Sequence, residues 1–213
     1  MHPHWFTLAL PLGLLYGLFL RWWGGRSLPL TPSETEDFLL AFQRLPLDAH
    51  DREMLPALRR LAQEDDGRPF VMHNLVKYRA RALYPAGSRY ASDDISGVAA
   101  DRRYGRRIIW PLLKVGSLPL FIARRQGSLV EPAGSHDWQM VAMVRYRSRR
   151  DFLRFALEIT AQDIAIHKWA AIEKTHVFPV IPFISLFALR LGVALALLSA
   201  GLSLHLLFSP AWP

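Results

Sequence analysis

The stretch that decides the fold is DWQMVAMVRYRSRRDFL, at residues 137–153. Apolar side chains occupy both alternating sets of its first part: Trp138, Met140, Ala142 and Val144 in one, Val141 and Met143 in the other. This pattern predicts a strand over Trp138–Arg147 that is buried on both faces. The Ser148-Arg-Arg-Asp151 that follows is typical of a capping box, so we expect a helix from there to about Ala171.

Further elements follow on both sides of this stretch. We predict strands over Phe70–Arg79, Leu118–Val130 and Glu173–Val180, and a helix from Asp93 or Asp94 to Lys114. The resulting order over residues 69–180 is β-α-β-β-α-β, the ferredoxin-like arrangement, so the fold class is α+β. Two helices cover only one face of a four-stranded sheet. We therefore expect a homodimer, in which a second copy covers the other face.

A helical hairpin is predicted before this domain, over residues 28–66. Thr31-Pro32-Ser33 followed by Glu34 predicts a helix start, and the helix is expected to end near Leu45. A second amphipathic stretch follows and ends at Gly67. We interpret the hairpin as a juxtamembrane spacer that packs on the domain.

Charge is unevenly distributed along the 213 residues, which carry a formal net charge of +8 and are 51% hydrophobic. Residues 1–20 and 191–213 hold no Lys, Arg, Asp or Glu. A helix rises about 1.5 Å per residue, so about twenty apolar residues cross a bilayer. We therefore predict transmembrane helices over residues 5–23 and 186–208.

Details of these segments refine the prediction. A cleaved signal peptide is the alternative for the first, but no Lys or Arg precedes its apolar run. In the second, we expect Arg190 at the interface after an approach over residues 181–190, because a buried arginine costs about 2.5–3.5 kcal/mol. Small residues spaced four apart favour close helix packing: Gly13 and Gly17, and Gly192, Ala196 and Ala200.

The bases nearest the two segments predict the orientation. Arg21 and Arg26 follow the first segment and Lys168 and Lys174 precede the second, whereas the tails lack both residue types. The positive-inside bias therefore predicts a two-pass protein of the cell (inner) membrane, with a cytoplasmic central domain and both termini outside.

Several function classes lack their sequence signatures. Without cysteine there is no disulfide scaffold, thiolate metal site or cysteine nucleophile. No P-loop, GxGxxG, GxSxG or kinase motif is present, and no HxH or HExxH motif either, so we expect no metal and name no cofactor. No nucleic-acid-binding motif occurs, so we expect no nucleic-acid partner.

A family resemblance covers roughly residues 69–180. Its pieces are FVMHNLVKYR, AADRRYGRR, GSLPLFIARRQG, DWQMVAMVRYRSRRDFL and HKWAAIEKTHVFPV. Together they resemble the uncharacterised, domain-of-unknown-function families of the dimeric α+β barrel superfamily. The resemblance implies the fold and the dimer. The wider superfamily includes cofactor-free quinone-forming monooxygenases, haem-degrading monooxygenases and plain ligand-binding domains, so the fold does not select an activity.

Three residues are candidates for catalysis: Asn74, Lys77 and His167. Haem-degrading relatives use an asparagine on the first strand, a tryptophan and a histidine on the second helix, and Asn74, Trp138 and His167 follow that order. Lys77 lies near a histidine on strand one and is suited to proton transfer or to holding an anion. The competing interpretation is that all of them have structural roles.

Four residues are candidates for ligand binding: His73, Tyr104, Arg145 and Arg147. Arg145 and Arg147 share a face of strand three, and two guanidinium groups can clamp a carboxylate. The alternative is that an Arg–acid pair, for instance with Asp151, fixes the second helix.

A basic cluster occurs on the first helix of the domain: Arg102, Arg103, Arg106 and Arg107. Like charges four residues apart repel each other unless an anion compensates. In a domain tethered to a bilayer, anionic lipid head groups are the available anion, which predicts a membrane-surface role. The alternative is a simply solvated set of arginines.

Two functional hypotheses remain open at this point. The first is a membrane-anchored homodimer that binds a small hydrophobic or anionic ligand or a membrane partner. The second is a cofactor-free or haem-related monooxygenase or isomerase acting on a hydrophobic substrate from the bilayer. A subunit of a larger membrane complex is compatible with the first.

Overall fold

A computed structural model describes residues 5–25, 28–47, 49–130, 137–183 and 189–208. The chain divides into two compact units. The helical unit combines Met1–Gly25 with Phe183–Pro213, and the central unit is Arg26–Pro182. Arg26, residues 184–188 of the expected interfacial approach and the predicted start of the second span at residue 186 lie outside the described residues.

The helical unit contains α1, Trp5–Gly24, and α7, Leu189–Phe208. Among the described residues, one helix is long and apolar enough to cross a membrane, over Leu189–Leu207 of α7. The apolar run in α1 is shorter, Leu8–Gly24. The predicted transmembrane helix over residues 5–23 therefore stays a prediction. Arg190 lies exposed in the first turn of α7, and its position at a membrane interface stays a prediction.

The two helices of this unit pack antiparallel. The Tyr16 hydroxyl lies 3.4 Å from the Arg190 carbonyl oxygen, and farther along a Cβ added to Gly201 would lie 2.8 Å from Leu12 Cδ1. Gly13, Gly17 and Gly192 have open space where a Cβ would lie. The close approach therefore uses Gly201, which the spacing of small residues did not single out.

The central unit begins with a helical hairpin, α2 (Pro32–Gln43) and α3 (Ala49–Gln63). Thr31 caps α2 as predicted: its hydroxyl accepts the Glu34 N–H at 3.2 Å, and the Glu34 carboxylate accepts the Thr31 N–H at 2.9 Å. Phe42 of α2 and Leu58 and Ala62 of α3 form a core cluster with Leu153. The hairpin therefore packs on the helix that carries Leu153.

The rest of this unit follows the predicted β-α-β-β-α-β order, with a four-stranded antiparallel sheet. The elements are β1 (Phe70–Tyr78), α4 (Gly97–Lys114), β2 (Leu118–Arg124), β3 (Met140–Tyr146), α5 (Arg149–Ala161), α6 (Ala165–Ala171) and β4 (Ile172–Val180). The strand order across the sheet is β2-β3-β1-β4. All three pairings are antiparallel.

The strand register divides the sheet into two faces. The first face carries Phe70, Met72, Asn74, Val76 and Tyr78 of β1 and their cross-strand partners. Every strand residue in the hydrophobic core clusters of the described chain belongs to this first face. Helices α4, α5 and α6 cover it, contributing residues such as Leu112, Phe155 and Ala170.

The second face carries Val71, His73, Leu75 and Lys77 of β1. One row crosses all four strands in register: Phe121, Met143, His73 and Phe178. The next row is Ala123, Val141, Leu75 and His176. The second face is therefore largely apolar and contributes no residue to the core clusters of the described chain.

The predicted continuous helix from Ser148 to Ala171 is wrong, because the chain breaks it into α5 and α6. Ser148 caps α5 as expected, its hydroxyl accepting the Asp151 N–H at 3.1 Å. Asp163 then adopts a left-handed φ of 55°, and the Ile164 N–H donates to the Ile159 carbonyl at 2.9 Å. This is a Schellman motif with aspartate at the position where glycine is usual. Ile159 and Ile164, the two residues that flank the turn, belong to the same hydrophobic cluster.

The predicted start of α4 at Asp93 or Asp94 is also wrong. Ser96 is the N-cap and accepts the Ala99 N–H at 3.2 Å. Asp93 and Asp94 lie before the helix, where Asp93 pairs with Arg103 of α4 and Asp94 with Arg81. Strand ends differ as well: β2 stops at Arg124 rather than Val130, and β3 begins at Met140, two residues after Trp138. One residue beyond these ends still makes backbone hydrogen bonds, since the Arg125 N–H donates to the Gln139 carbonyl at 2.9 Å and the Gln139 N–H to the Val76 carbonyl at 2.8 Å.

Candidate functional site

The three candidates for catalysis lie in different places. The Asn74 amide donates to the Met72 carbonyl at 3.0 Å and lies 3.3 Å from the Ala142 carbonyl oxygen, within the sheet. Lys77 lies on the second face with its Nζ 3.3 Å from Glu173. In the described chain, no hydrogen bond, ion pair or ring contact joins any two of Asn74, Lys77 and His167. The structure therefore does not bring them together as one catalytic group.

His167 is the centre of a buried polar cluster. Its side chain lies on α6 and is fully buried. Its Nδ1 is 2.8 Å from the Tyr84 hydroxyl oxygen, and its Nε2 is 2.7 Å from Arg107 Nη1. The Tyr90 ring packs on the imidazole with the centroids 4.6 Å apart. The loop between β1 and α4 thus closes over His167 with two tyrosines.

The contacts fix the tautomer of this histidine. An arginine guanidinium has only donors and stays protonated, so Arg107 donates to His167 Nε2. Nε2 therefore carries no proton, and in the neutral ring Nδ1–H donates to Tyr84. Burial, together with the positive charges of Arg107, Arg103 and Arg89, lowers the pKa of His167 to about 4. His167 is neutral at physiological pH.

The four arginines of α4 do not act as one set. Arg103 pairs with Asp93, and Arg107 contacts His167 and Tyr90. Arg102 and Arg106 are exposed. Two of the residues predicted for the membrane surface therefore have partners within the chain, and the other two remain available to solvent.

The candidates for ligand binding are also separated. His73 and Arg145 lie on the second face of the sheet. Arg145 is buried and lies 3.4 Å from the Gly116 carbonyl oxygen through Nη1. Arg147 donates to both carboxylate oxygens of Asp151, at 2.6 and 3.1 Å, so the pairing with Asp151 that the sequence left open is present. Tyr104 packs against the main hydrophobic cluster.

A second polar cluster lies under the first face, and no sequence pattern predicts it. The Tyr78 hydroxyl donates to Asp101 Oδ2 at 2.8 Å. Burial raises the pKa of Asp101 and of Tyr78 and lowers the pKa of Lys168. The opposite charges of Asp101 and Lys168 stabilise each other, linking α4 and α6.

The loop residues around His167 were equally missed from sequence. Tyr84, Arg89, Tyr90 and Asp93 belong to an irregular segment without hydrophobic periodicity. Their proximity to His167 depends on chain folding over about eighty residues, so no local pattern could have identified it.

The helical unit has an apolar cleft of about 440 Å³ between α1 and α7. It is lined by leucines and small residues, with Tyr16 and His205 as its polar members. In hydrocarbon such a cleft is filled by acyl chains or by another apolar helix face.

Comparisons with known proteins agree with the fold. No protein-family description and no curated protein matches the chain. It is similar to the crystal structure of the RPA0582 protein of unknown function from Rhodopseudomonas palustris, with 25% sequence identity and a TM-score of 0.52. That match covers 63% of this chain and 95% of the other. The structure of methylated RPA0582 protein matches with a TM-score of 0.53 and 25% identity, over 62% of this chain and 92% of that one.

Proposed function

We propose that this protein is a membrane-anchored homodimeric binding protein of the dimeric α+β barrel kind. In it, two copies cover the second faces of each other's sheets and enclose a small hydrophobic ligand. The observation that carries this proposal is the row of Phe121, Met143, His73 and Phe178, in register across all four strands. Covering an apolar row of this kind removes it from water, and a second copy supplies a matching surface.

The polar atom in that row supports the same proposal. His73 Nδ1 is buried and has no hydrogen-bond partner within the described residues. Buried polar atoms are almost always paired, so a group from the second copy or from the ligand is the expected partner. Membership of the dimeric α+β barrel superfamily, as the sequence resemblance implies, would place this row inside the barrel.

The two terminal helices serve as the membrane anchor in this proposal. Leucines are exposed around both: Leu10, Leu14 and Leu18 of α1 are 78%, 64% and 56% exposed, and Leu191, Leu198 and Leu206 of α7 are 59%, 59% and 75% exposed. Apolar patches of this extent are stable in hydrocarbon but not in water. With both helices spanning the membrane, the central unit faces the cytoplasm.

Binding fits the side-chain arrangement better than catalysis does. A monooxygenase or isomerase needs its acid, base and substrate groups in one site. Asn74 is hydrogen-bonded to the sheet backbone, Lys77 is paired with Glu173, and His167 is enclosed by Tyr84 and Arg107.

Native mass spectrometry of the full chain in mild detergent tests the proposal. We expect a dimer that carries a small apolar molecule and no stoichiometric porphyrin. Phe121→Asp places a charge on the second face at a side chain that is 44% exposed in one copy, and should convert the dimer to a monomer. The matched control is Ile122→Asp, on the adjacent residue of the first face, which is 64% exposed and should leave the dimer intact.

Two results would contradict the proposal. One is a wild-type monomer at micromolar concentration, and the other is equal dimer loss in the two variants. A stoichiometric porphyrin would favour haem-related chemistry instead. A stable complex with a different protein, in place of the dimer, would make the chain a subunit of a larger membrane complex.

A further inference from the structure

Two arginines meet at Tyr90, beside the buried His167. The guanidinium carbon of Arg89 lies over the Tyr90 ring, 4.8 Å from its centroid. That of Arg107 lies 5.8 Å from the same centroid, and Arg107 Nη1 donates to the Tyr90 hydroxyl at 3.0 Å. We call Arg89, Tyr90 and Arg107 the Tyr90 site.

Arg107 is held in place through a single nitrogen. Nη1 donates one hydrogen to Tyr90 and the other to His167 Nε2. The remaining three N–H groups, on Nε and Nη2, have no acceptor in the part of the chain that the structure describes. The side chain is thus oriented before any ligand binds, so a ligand would not have to restrict its rotamers.

Among the residues that the structure describes, no carboxylate balances the positive charge at the Tyr90 site. The two acids of the loop are occupied, since Asp93 pairs with Arg103 and Asp94 with Arg81. Within the described ranges, neither Arg89 nor Arg107 forms an ion pair. The charges of Arg89, Arg103 and Arg107 all lower the pKa of His167, whereas the charge of Asp93 raises it. The electrostatic potential around the cluster is therefore positive.

The Tyr90 site is accessible from solvent. Arg89 and Arg107 are exposed and Tyr90 is half-buried. The Tyr90 hydroxyl accepts from Arg107, which leaves its own hydrogen available to a ligand oxygen. Two guanidinium groups and one hydroxyl provide donors in several directions with a charge of about +2.

We propose that the Tyr90 site binds the phosphate group of a phosphomonoester or of inorganic phosphate. A phosphomonoester carries about −1.5 to −2 charges at neutral pH, which two guanidinium groups balance and one carboxylate would not. Its oxygens accept from Arg107 Nε and Nη2, from Arg89 and from the Tyr90 hydroxyl. The phosphate can be free in solution or belong to a lipid head group such as phosphatidic acid. This inference does not depend on the homodimer.

Titration calorimetry of the full chain in mild detergent, with inorganic phosphate as the probe, tests the proposal. We expect saturable binding by the wild type. Arg89→Gln and Arg107→Gln should each weaken it about tenfold, the effect of losing one charge-assisted hydrogen bond. Arg102→Gln is the matched control, because it removes the same charge from an exposed position of α4. It should weaken binding less than about threefold, since salt screens distant charges.

Two outcomes would overturn the proposal. One is no saturable phosphate binding by the wild type, and the other is an equal loss in all three variants, which would mean diffuse attraction to a basic surface. Arg107→Gln also removes a partner of His167 and can disturb the fold. Arg89→Gln keeps the test valid, because the Arg89 side chain is exposed and packs on the Tyr90 ring.

The source of the phosphate is distinguished in lipid nanodiscs. Phosphate affinity is compared between discs of phosphatidylcholine alone and discs that also contain phosphatidic acid. A lower apparent affinity in the second, abolished by Arg107→Gln, assigns the Tyr90 site to the lipid head group. An unchanged affinity assigns it to free phosphate.

Discussion

Replacing Arg150 should destabilise the central unit, because this buried arginine joins α5 to the chain before α2. Arg150 is 7% exposed and donates to the carbonyl oxygens of Leu28 and Pro29, both at 3.0 Å. It also donates to the two carboxylate oxygens of Glu34, at 3.2 and 2.9 Å. It therefore connects α5 to the segment before α2 and to the first turn of α2.

The loss of stability expected on replacing Arg150 follows from these four hydrogen bonds. The two bonds to carbonyl oxygens contribute about 1 kcal/mol each. The hydrogen bonds from Arg150, and secondarily the bond from the Thr31 N–H, lower the pKa of Glu34 from 4.5 to about 2. At about 1.4 kcal/mol per pH unit this corresponds to roughly 3 kcal/mol, but the Glu34 side chain is 40% exposed, so solvent screening reduces it to about 1 kcal/mol. Arg150→Met should thus cost about 3 kcal/mol.

Scanning calorimetry of the detergent-solubilised chain measures this cost. For a unit of this size, about 3 kcal/mol lowers Tm by roughly 6–12 °C. Glu34→Gln should lower it by roughly 2–4 °C. The matched control is Arg154→Met, one turn along α5, where the arginine is 53% exposed and lies 3.6 Å from Asp151. This surface pair contributes about 0–1 kcal/mol.

The pH dependence provides a second check. Because the pKa of Glu34 is lower in the folded state, its contribution is complete above pH 4.5 and is lost as the pH falls from 4.5 to about 2. The difference in Tm between Glu34→Gln and the wild type should shrink over this range. A Tm for Arg150→Met within about 3 °C of the wild type, or a Glu34→Gln difference that stays constant down to pH 2, would refute the reasoning.

Two further predictions concern the cluster around α4 and α6. Gly97→Ala should destabilise the chain by at least about 2 kcal/mol, because the new Cβ would lie 2.5 Å from the carbonyl oxygens of Ala171 and Arg79. Gly105→Ala, the control, has open space around the new methyl group and should be neutral or stabilising. Denaturant unfolding measures the free energy of unfolding of both variants. His167 has a folded-state pKa of about 4 against 6.5 when unfolded, so the wild type should lose up to about 3 kcal/mol as the pH falls between these values. His167→Gln should lack that loss, and an identical pH profile for the two proteins would contradict the buried neutral imidazole.

Signals within a few residues made much of the fold predictable. The Thr31 and Ser148 caps act over three residues, and both are present where the sequence places them. Alternation of apolar residues identified the strands to within a few residues at most ends, and their order identified the four-stranded sheet. The break at Asp163 was missed, because aspartate replaces the glycine that normally marks a left-handed helix end.

The candidate site was less predictable, because its contacts are long-range. Asn74 and His167 follow the order of residues in haem-degrading enzymes, yet order along a chain does not require contact in space. Lys77 has an acidic neighbour, Glu173, that only the pairing of β1 with β4 provides. In each case the partner is set by tertiary packing.

The arginines of α4 show most clearly where sequence reasoning stops. Helical periodicity places Arg103 and Arg107 on one side of α4 and Arg102 and Arg106 on a neighbouring side. The division of the four arginines into these two pairs can therefore be predicted from the sequence. Which pair is engaged depends on His167, 60 residues away from Arg107 in sequence, and on a loop without periodicity. Once Asp93 has paired with Arg103, Arg107 is left beside a neutral acceptor. A neutral imidazole orients a guanidinium without cancelling its charge, and for that reason the charge of Arg107 remains available to an anion.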